Sequence, residues 1–144
     1  MWRVVAGAGP GRHWYADAGP FVFRGLVDRA LLGAGRRWPV PDRALLRAGD
    51  RAGFWKVVEA GPVSSSDADG RRLVLDAAVR APGLVTFRSH VVPEAEGTRL
   101  TQTVTFTPHG LLGHAYLLAD LPAREALMEL VHRRVLADLP GGHG

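Results

Sequence analysis

Cysteine is absent from the 144 residues, which excludes disulfides, thiolate zinc sites and cysteine nucleophiles together. That absence is compatible with any compartment. Lysine is nearly absent as well: of the 18 basic residues 17 are arginine and only Lys56 is lysine. Alanine, glycine, arginine and leucine dominate throughout, the pattern of a GC-rich coding bias rather than of selection for phosphate contacts. The arginines are scattered, with pairs at 36–37, 71–72 and 133–134, each near acidic neighbours. A formal charge of +4 and a pI of about 10.6 therefore do not predict a nucleic-acid partner, whose footprint would be clustered on one face. Long apolar runs are also missing. No stretch reaches the roughly 18 to 20 uninterrupted apolar residues of a membrane helix. "MWRVVAGAGPGRHWY" is interrupted by glycines and a proline before it attains the apolar length of a secretory signal. The expectation is a cytoplasmic protein with no membrane partner.

What is present suits one globular domain over 1–144: the length can bury a core, and 47% hydrophobic residues is too many for disorder. "PFVFRGLVDRALLGAG" begins at Pro20 and places Phe23, Leu26, Val27, Ala30 and Leu31 on one stripe before Gly33 and Gly35, predicting a helix. A further short turn of helix is predicted at 42–47. Successive strands are then predicted at 53–59, 71–79, 84–92 and 98–106. The first carries Trp55 and Val57 on one face, the second Leu73, Leu75, Ala77 and Val79. The third turns Val85, Phe87, Ser89 and Val91 inward and Thr86, Arg88 and His90 outward. The fourth turns Leu100, Gln102, Val104 and Phe106 to one side and Arg99, Thr101, Thr103 and Thr105 to the other. "SSSDADG", 64–70, is read as a hairpin loop. Connections this short predict an antiparallel meander with one wet face. "PAREALMELVHRRVLADL", 122–139, predicts a terminal helix whose apolar stripe includes Leu127, Leu130, Val131 and Val135. The fold class is α+β, with the last helix across the inner face of the sheet.

The motifs "HWY", "FRGLVDRALLGAG", "LLRAGDRAGFWKVV", "APG" and "TRLTQTVTFTPHGLLGHAY", followed by the terminal helix, resemble the DUF2867 family over about residues 12–136. The resemblance implies the SRPBCC, or START/Bet v1-like, superfamily: a helix-grip fold in which a curved antiparallel sheet wraps a long C-terminal helix around an internal hydrophobic cavity. That superfamily includes polyketide cyclases and dehydratases as well as carriers, so fold alone does not assign chemistry. Only about a dozen residues precede "WY". Either "MWRVV" supplies a short first strand or an exposed sheet edge is left to a partner chain, which leaves a homodimer open. "GAGPG" at 7–11 lacks the G-x-G-x-x-G pattern, so no dinucleotide cofactor is expected.

In such a fold Trp55 faces the helix and cavity, as pocket wall or as plain core, and Trp14, Phe87, Phe106 and Tyr116 are the further candidates for a substrate-binding wall. Arg24 and Asp28 stand four apart, either a structural ion pair or a base with an anion-stabilising partner. Tyr15 could protonate a substrate oxygen or anchor the core. Gln102 is the large polar residue whose phase points inward, and a buried amide needs partners from the protein or a ligand. Six histidines are present, but their spacing does not suit a metal; His109 or His114 at the cavity mouth is retained as an acid or base, with His109 taken as the candidate. The leading expectation is a cofactor-independent enzyme of natural-product metabolism, cyclase or dehydratase in type, acting on a hydrophobic small molecule with Asp28, Tyr15, Arg24 and His109 as catalytic candidates. The alternatives are a carrier that binds such a molecule unchanged and an interaction module.

Overall fold

The computed structural model describes residues 1–18, 26, 29–30, 38–63, 70–79 and 82–137, of which 112–113, 115–125 and 127 are described by their backbone alone. The core of the predicted helix from Pro20, including Arg24 and Asp28, and most of the 64–70 loop lie outside the described residues. Of that helix, Leu26, Arg29 and Ala30 are helical, and Leu26, expected on the buried stripe, is 62% exposed.

Among the described residues five strands form one antiparallel meander in chain order: β1 (Arg51–Ala52), β2 (Trp55–Pro62), β3 (Arg71–Ala77), β4 (Gly83–Glu94) and β5 (Gly97–Pro108). Short turns between neighbours dictate this order, because adjacent antiparallel strands need no crossover. β1 was not anticipated, and β2 begins at Trp55 rather than at residue 53. Gly53, with φ +61°, turns the chain between them in the left-handed region that glycine enters without steric cost. At the start of β4, a Cβ on Gly83 would lie 2.5 Å from the Phe106 ring, so this glycine lets Phe106 close over the sheet.

The period-two alternation carries across the sheet in rows. Val57, Leu75, Phe87 and Val104 are successive register partners, as are Ala60, Leu73, Ser89 and Gln102. Leu75, Phe87, Leu73 and Ser89 are fully buried, whereas Val104 and Gln102, on edge strand β5, are only half-buried. The core thus lies under β2 to β4 and thins out beneath β5.

A C-terminal helix, α3, spans Gly110–Ala137. It begins well before Pro122, where the sequence placed its start. Val131 and Val135 are fully buried in the core and Met128 packs half-buried against it. Leu130, expected on the same stripe, is 55% exposed: one residue from Val131 is about 100° around a helix of 3.6 residues per turn, enough to leave the packed face. Among the described residues no helix is long and apolar enough to cross a membrane.

The N-terminus departs most from expectation. "MWRVV" is not a strand but a helical turn, α1 (Trp2–Val5), and "WYAD" forms a second, α2 (Trp14–Asp17). The predicted helix at 42–47 is irregular chain instead. Its backbone groups pair across to the N-terminal segment, with Leu46 N–H donating to Ala6 O, Ala8 N–H to Ala44 O and Gly9 N–H to Pro41 O. Those long-range bonds satisfy groups that a local helix would otherwise have used. Thr86, expected on the wet face, is 8% exposed and donates its hydroxyl to Asp76 Oδ1 at 2.7 Å.

Candidate functional site

Four residues that the sequence singled out, Trp14, Tyr15, Trp55 and Phe87, come together, but as one dry aromatic cluster. Each is at most 2% exposed. The Trp14 and Phe87 ring centroids are 5.0 Å apart, Trp14 meets Tyr15 edge to face at 5.7 Å, and Trp55 meets Phe87 at 6.2 Å, separations at which aromatic rings attract. Every polar tip has a main-chain partner. The Trp14 indole N–H donates to Val5 O at 3.0 Å, the Tyr15 hydroxyl to Gly7 O at 2.7 Å and the Trp55 indole N–H to Tyr15 O at 2.8 Å. The cluster therefore ties α1, α2 and β2 into one unit. Burial raises the Tyr15 phenol far above its usual range, reinforced by the negative charges of Asp17 and Asp50, because desolvation disfavours the phenolate. A phenol so held donates to one carbonyl and stays protonated.

Gln102 stands elsewhere. Its inward phase puts it at the thin edge of the core, over an open groove of about 650 Å³ between β5 and α3. Leu100 and Val104 of β5 and Met128 of α3 supply apolar walls; Gln102, Glu129 and His132 supply polar groups. The position of His132 follows from helix phase. It lies four residues after Met128 and three before Val135, so the stripe that buries Val135 brings His132 to the sheet.

Gln102 links both sides of the groove. Its Nε2 donates to the fully buried Ser89 Oγ at 3.5 Å, a long and weak bond, and its Oε1 lies 2.9 Å from His132 Nδ1. An amide oxygen only accepts, so Nδ1 is the donor, and in the neutral ring Nε2 then holds the lone pair. Among the described residues Nε2 has no hydrogen-bond partner. This is the arrangement in which one ring nitrogen is fixed so that the other can take a proton, with a neutral amide where hydrolytic triads use a carboxylate. The amide orients the ring without the charge that would stabilise an imidazolium. Nearby Glu129 accepts from Arg133 Nε at 2.6 Å on the exposed rim.

The remaining candidates do not join this groove. Phe106 is half-buried against Gly83, and His109 is exposed just beyond the end of β5, its N–H donating to Pro82 O. At about 3.3 Å per strand residue, His109 is roughly 20 Å along the edge from Gln102. The Tyr116 side chain lies outside the described residues, as do Arg24 and Asp28. Among the described residues no group of three or more His, Asp and Glu side chains is placed to hold a metal ion. His132 and Ser89 are the site residues that sequence reasoning passed over. The signal for His132 was its place on the Met128–Val135 stripe; Ser89 was already placed inward by strand phase.

Neither the curated proteins nor the solved structures include a match to this chain. The family model described as a protein of unknown function, DUF2867, matches residues 1–130, nearly the whole chain and all of the sheet, and the chain belongs to that family.

Proposed function

We propose that this protein is a cofactor-independent enzyme that acts on a hydrophobic small molecule between the sheet and the C-terminal helix, in the manner of polyketide cyclases and dehydratases. In this reading the DUF2867 domain is a helix-grip, START/Bet v1-like fold, and the groove between β5 and α3 opens toward its interior. The observation that carries the reading is the oriented His132 ring, with Nδ1 held by Gln102 and Nε2 without a hydrogen-bond partner among the described residues, in a groove with apolar walls.

His132 Nε2 would take a proton from a carbon next to a substrate carbonyl. The resulting enolate carbon attacks a second carbonyl of the same molecule, and the alkoxide formed recovers the proton from His132, so ring closure is an isomerisation. Loss of the new hydroxyl with a neighbouring C–H proton then releases water. The walls contribute by holding the folded conformer that closes the ring, a term that can rival the acid–base step in size. Asp28 and Arg24 keep the roles of second base and anion-stabilising group. Tyr15, with its hydroxyl on Gly7 O, is given an anchoring role instead.

A second reading, a carrier that binds the molecule unchanged, is favoured by one specific feature: both ends of the Gln102 amide already have protein partners, as in a binding wall that does no chemistry. The deciding experiment incubates purified protein with small molecules extracted from a host lacking the gene, following every mass by liquid chromatography. An enzyme consumes one compound and yields an isomer or a product lighter by one water, and His132→Ala slows this about 10² to 10⁴-fold. Retention of an unaltered compound by both proteins establishes the carrier.

A further inference from the structure

A second groove, sharing no lining residue with the first among the described residues, lies where α1 meets β2 and β3. It has a volume of about 320 Å³, and Trp2, Arg43, Arg47 and Arg71 are among the residues that line it, over Leu46 and Ala60. Arg71 opens β3 in the same phase as the fully buried Leu73 and Leu75, so strand alternation delivers a guanidinium to the rim of the inner face. Its Cζ sits over the Trp2 ring, 5.8 Å from the centroid. Leu46 is buried and Ala60 packs half-buried against the core, which makes the floor apolar and firm.

The charges are unbalanced. Arg43 pairs with Asp50 at 3.4 Å, and the second oxygen of that carboxylate accepts the Arg47 backbone N–H at 2.8 Å. The Arg47 and Arg71 guanidinium groups have no ion pair among the described residues, and no carboxylate is among the described residues lining the groove. Two uncompensated guanidinium groups beside an indole over an apolar floor offer forked donors to anionic oxygens and a stacking face to a flat ring. The volume is at the small end of ligand clefts, which run from about 300 Å³.

We propose that this groove binds a small phosphate monoester carrying a planar ring, the phosphate taken by Arg47 and Arg71 and the ring stacked at Trp2. The test titrates the full chain with phenyl phosphate, inorganic phosphate and phenol by calorimetry, with tryptophan fluorescence in parallel; Trp14 and Trp55 are buried in the core and the half-buried Trp38 lies under Arg51 at a different pocket, so a ligand in this groove quenches Trp2. The expected order is phenyl phosphate tighter than inorganic phosphate, and no binding of phenol. Arg47→Gln and Arg71→Gln should each weaken phenyl phosphate about tenfold or more, since a hydrogen bond to a charged group is lost. Both arginines are exposed, so the melting temperature should hold. Arg99→Gln, whose arginine pairs with Glu94 at the β4–β5 turn, should leave the affinity unchanged. Undiminished affinity in both groove variants, equal loss in Arg99→Gln, or binding of inorganic phosphate as tight as that of phenyl phosphate overturns the proposal.

Discussion

The aromatic cluster and the β5–α3 groove are built on the same face of the same sheet, yet they treat polar atoms in opposite ways. In the cluster, Trp14, Tyr15 and Trp55 are at most 2% exposed and each aims its donor at a main-chain carbonyl. In the groove, Ser89, Gln102 and His132 bond side chain to side chain, and the series ends on a ring nitrogen without a partner among the described residues. Donors locked onto carbonyls hold the fold; the series that runs from buried Ser89 through half-buried Gln102 to His132 is where the proposed proton transfer is assigned. Large aromatic side chains with a polar tip are tempting site candidates, and here their tips serve as fasteners for the N-terminal segment.

Substitutions can break or sharpen this contrast. The largest effect on stability is expected from Trp14→Ala, which removes a fully buried indole from three-way aromatic contact and should cost about 3 to 5 kcal/mol, read from the midpoint of urea unfolding. Tyr15→Phe keeps the ring and leaves the Gly7 carbonyl without its donor, an expected loss of about 1 to 3 kcal/mol. It also has a pH signature. The folded phenol binds its proton more tightly than the unfolded one, whose usual value is 10.0. Tyr15 therefore contributes full stability below about pH 10, and stability falls as pH rises beyond that, by up to about 1.4 kcal/mol per unit. Tyr15→Phe should lose that component of the alkaline decline, measured by unfolding at a series of pH values.

Gln102→Leu is predicted to change stability by about 1 kcal/mol or less, because the amide is half-buried and its bond to Ser89 is long. Its effect should instead fall on function, slowing conversion of any substrate that His132→Ala also slows. Smallest of all, Arg133→Ala on the exposed groove rim removes an i,i+4 pair with Glu129 and should cost about 0.2 to 0.5 kcal/mol, shrinking as salt is added. A Tyr15→Phe protein of normal stability but without activity would reverse the contrast.

The sheet was legible in the sequence because strand phase is a local property. The alternation of Leu100, Gln102, Val104 and Phe106 against Arg99, Thr101, Thr103 and Thr105 is matched by half-buried against exposed positions along β5, and Gln102 was marked for its inward phase. Its partner could not be read the same way. His132 is 30 residues away on a helix, and periodicity narrows a helix face without setting its rotation over the sheet, as the exposure of Leu130 beside buried Val131 shows. "MWRVV" was open to misreading for another reason. A five-residue stretch with one aromatic and two β-branched residues suits a strand by propensity, but Trp14 and Tyr15 capture the Val5 and Gly7 carbonyls from a distance and settle the segment as a helical turn. The same applies to 42–47, whose backbone bonds go to the N-terminal chain rather than back along a helix.

The most direct test of the contrast needs no substrate. Nitrogen-detected NMR of the histidine rings, at a pH where His132 is neutral, reports which ring nitrogen carries its proton. The account predicts the Nδ1–H form for His132 in the native protein, and loss of that preference in Gln102→Leu with the fold intact. His132 found in the Nε2–H form, or a tautomer unaffected by removing Gln102, would contradict it.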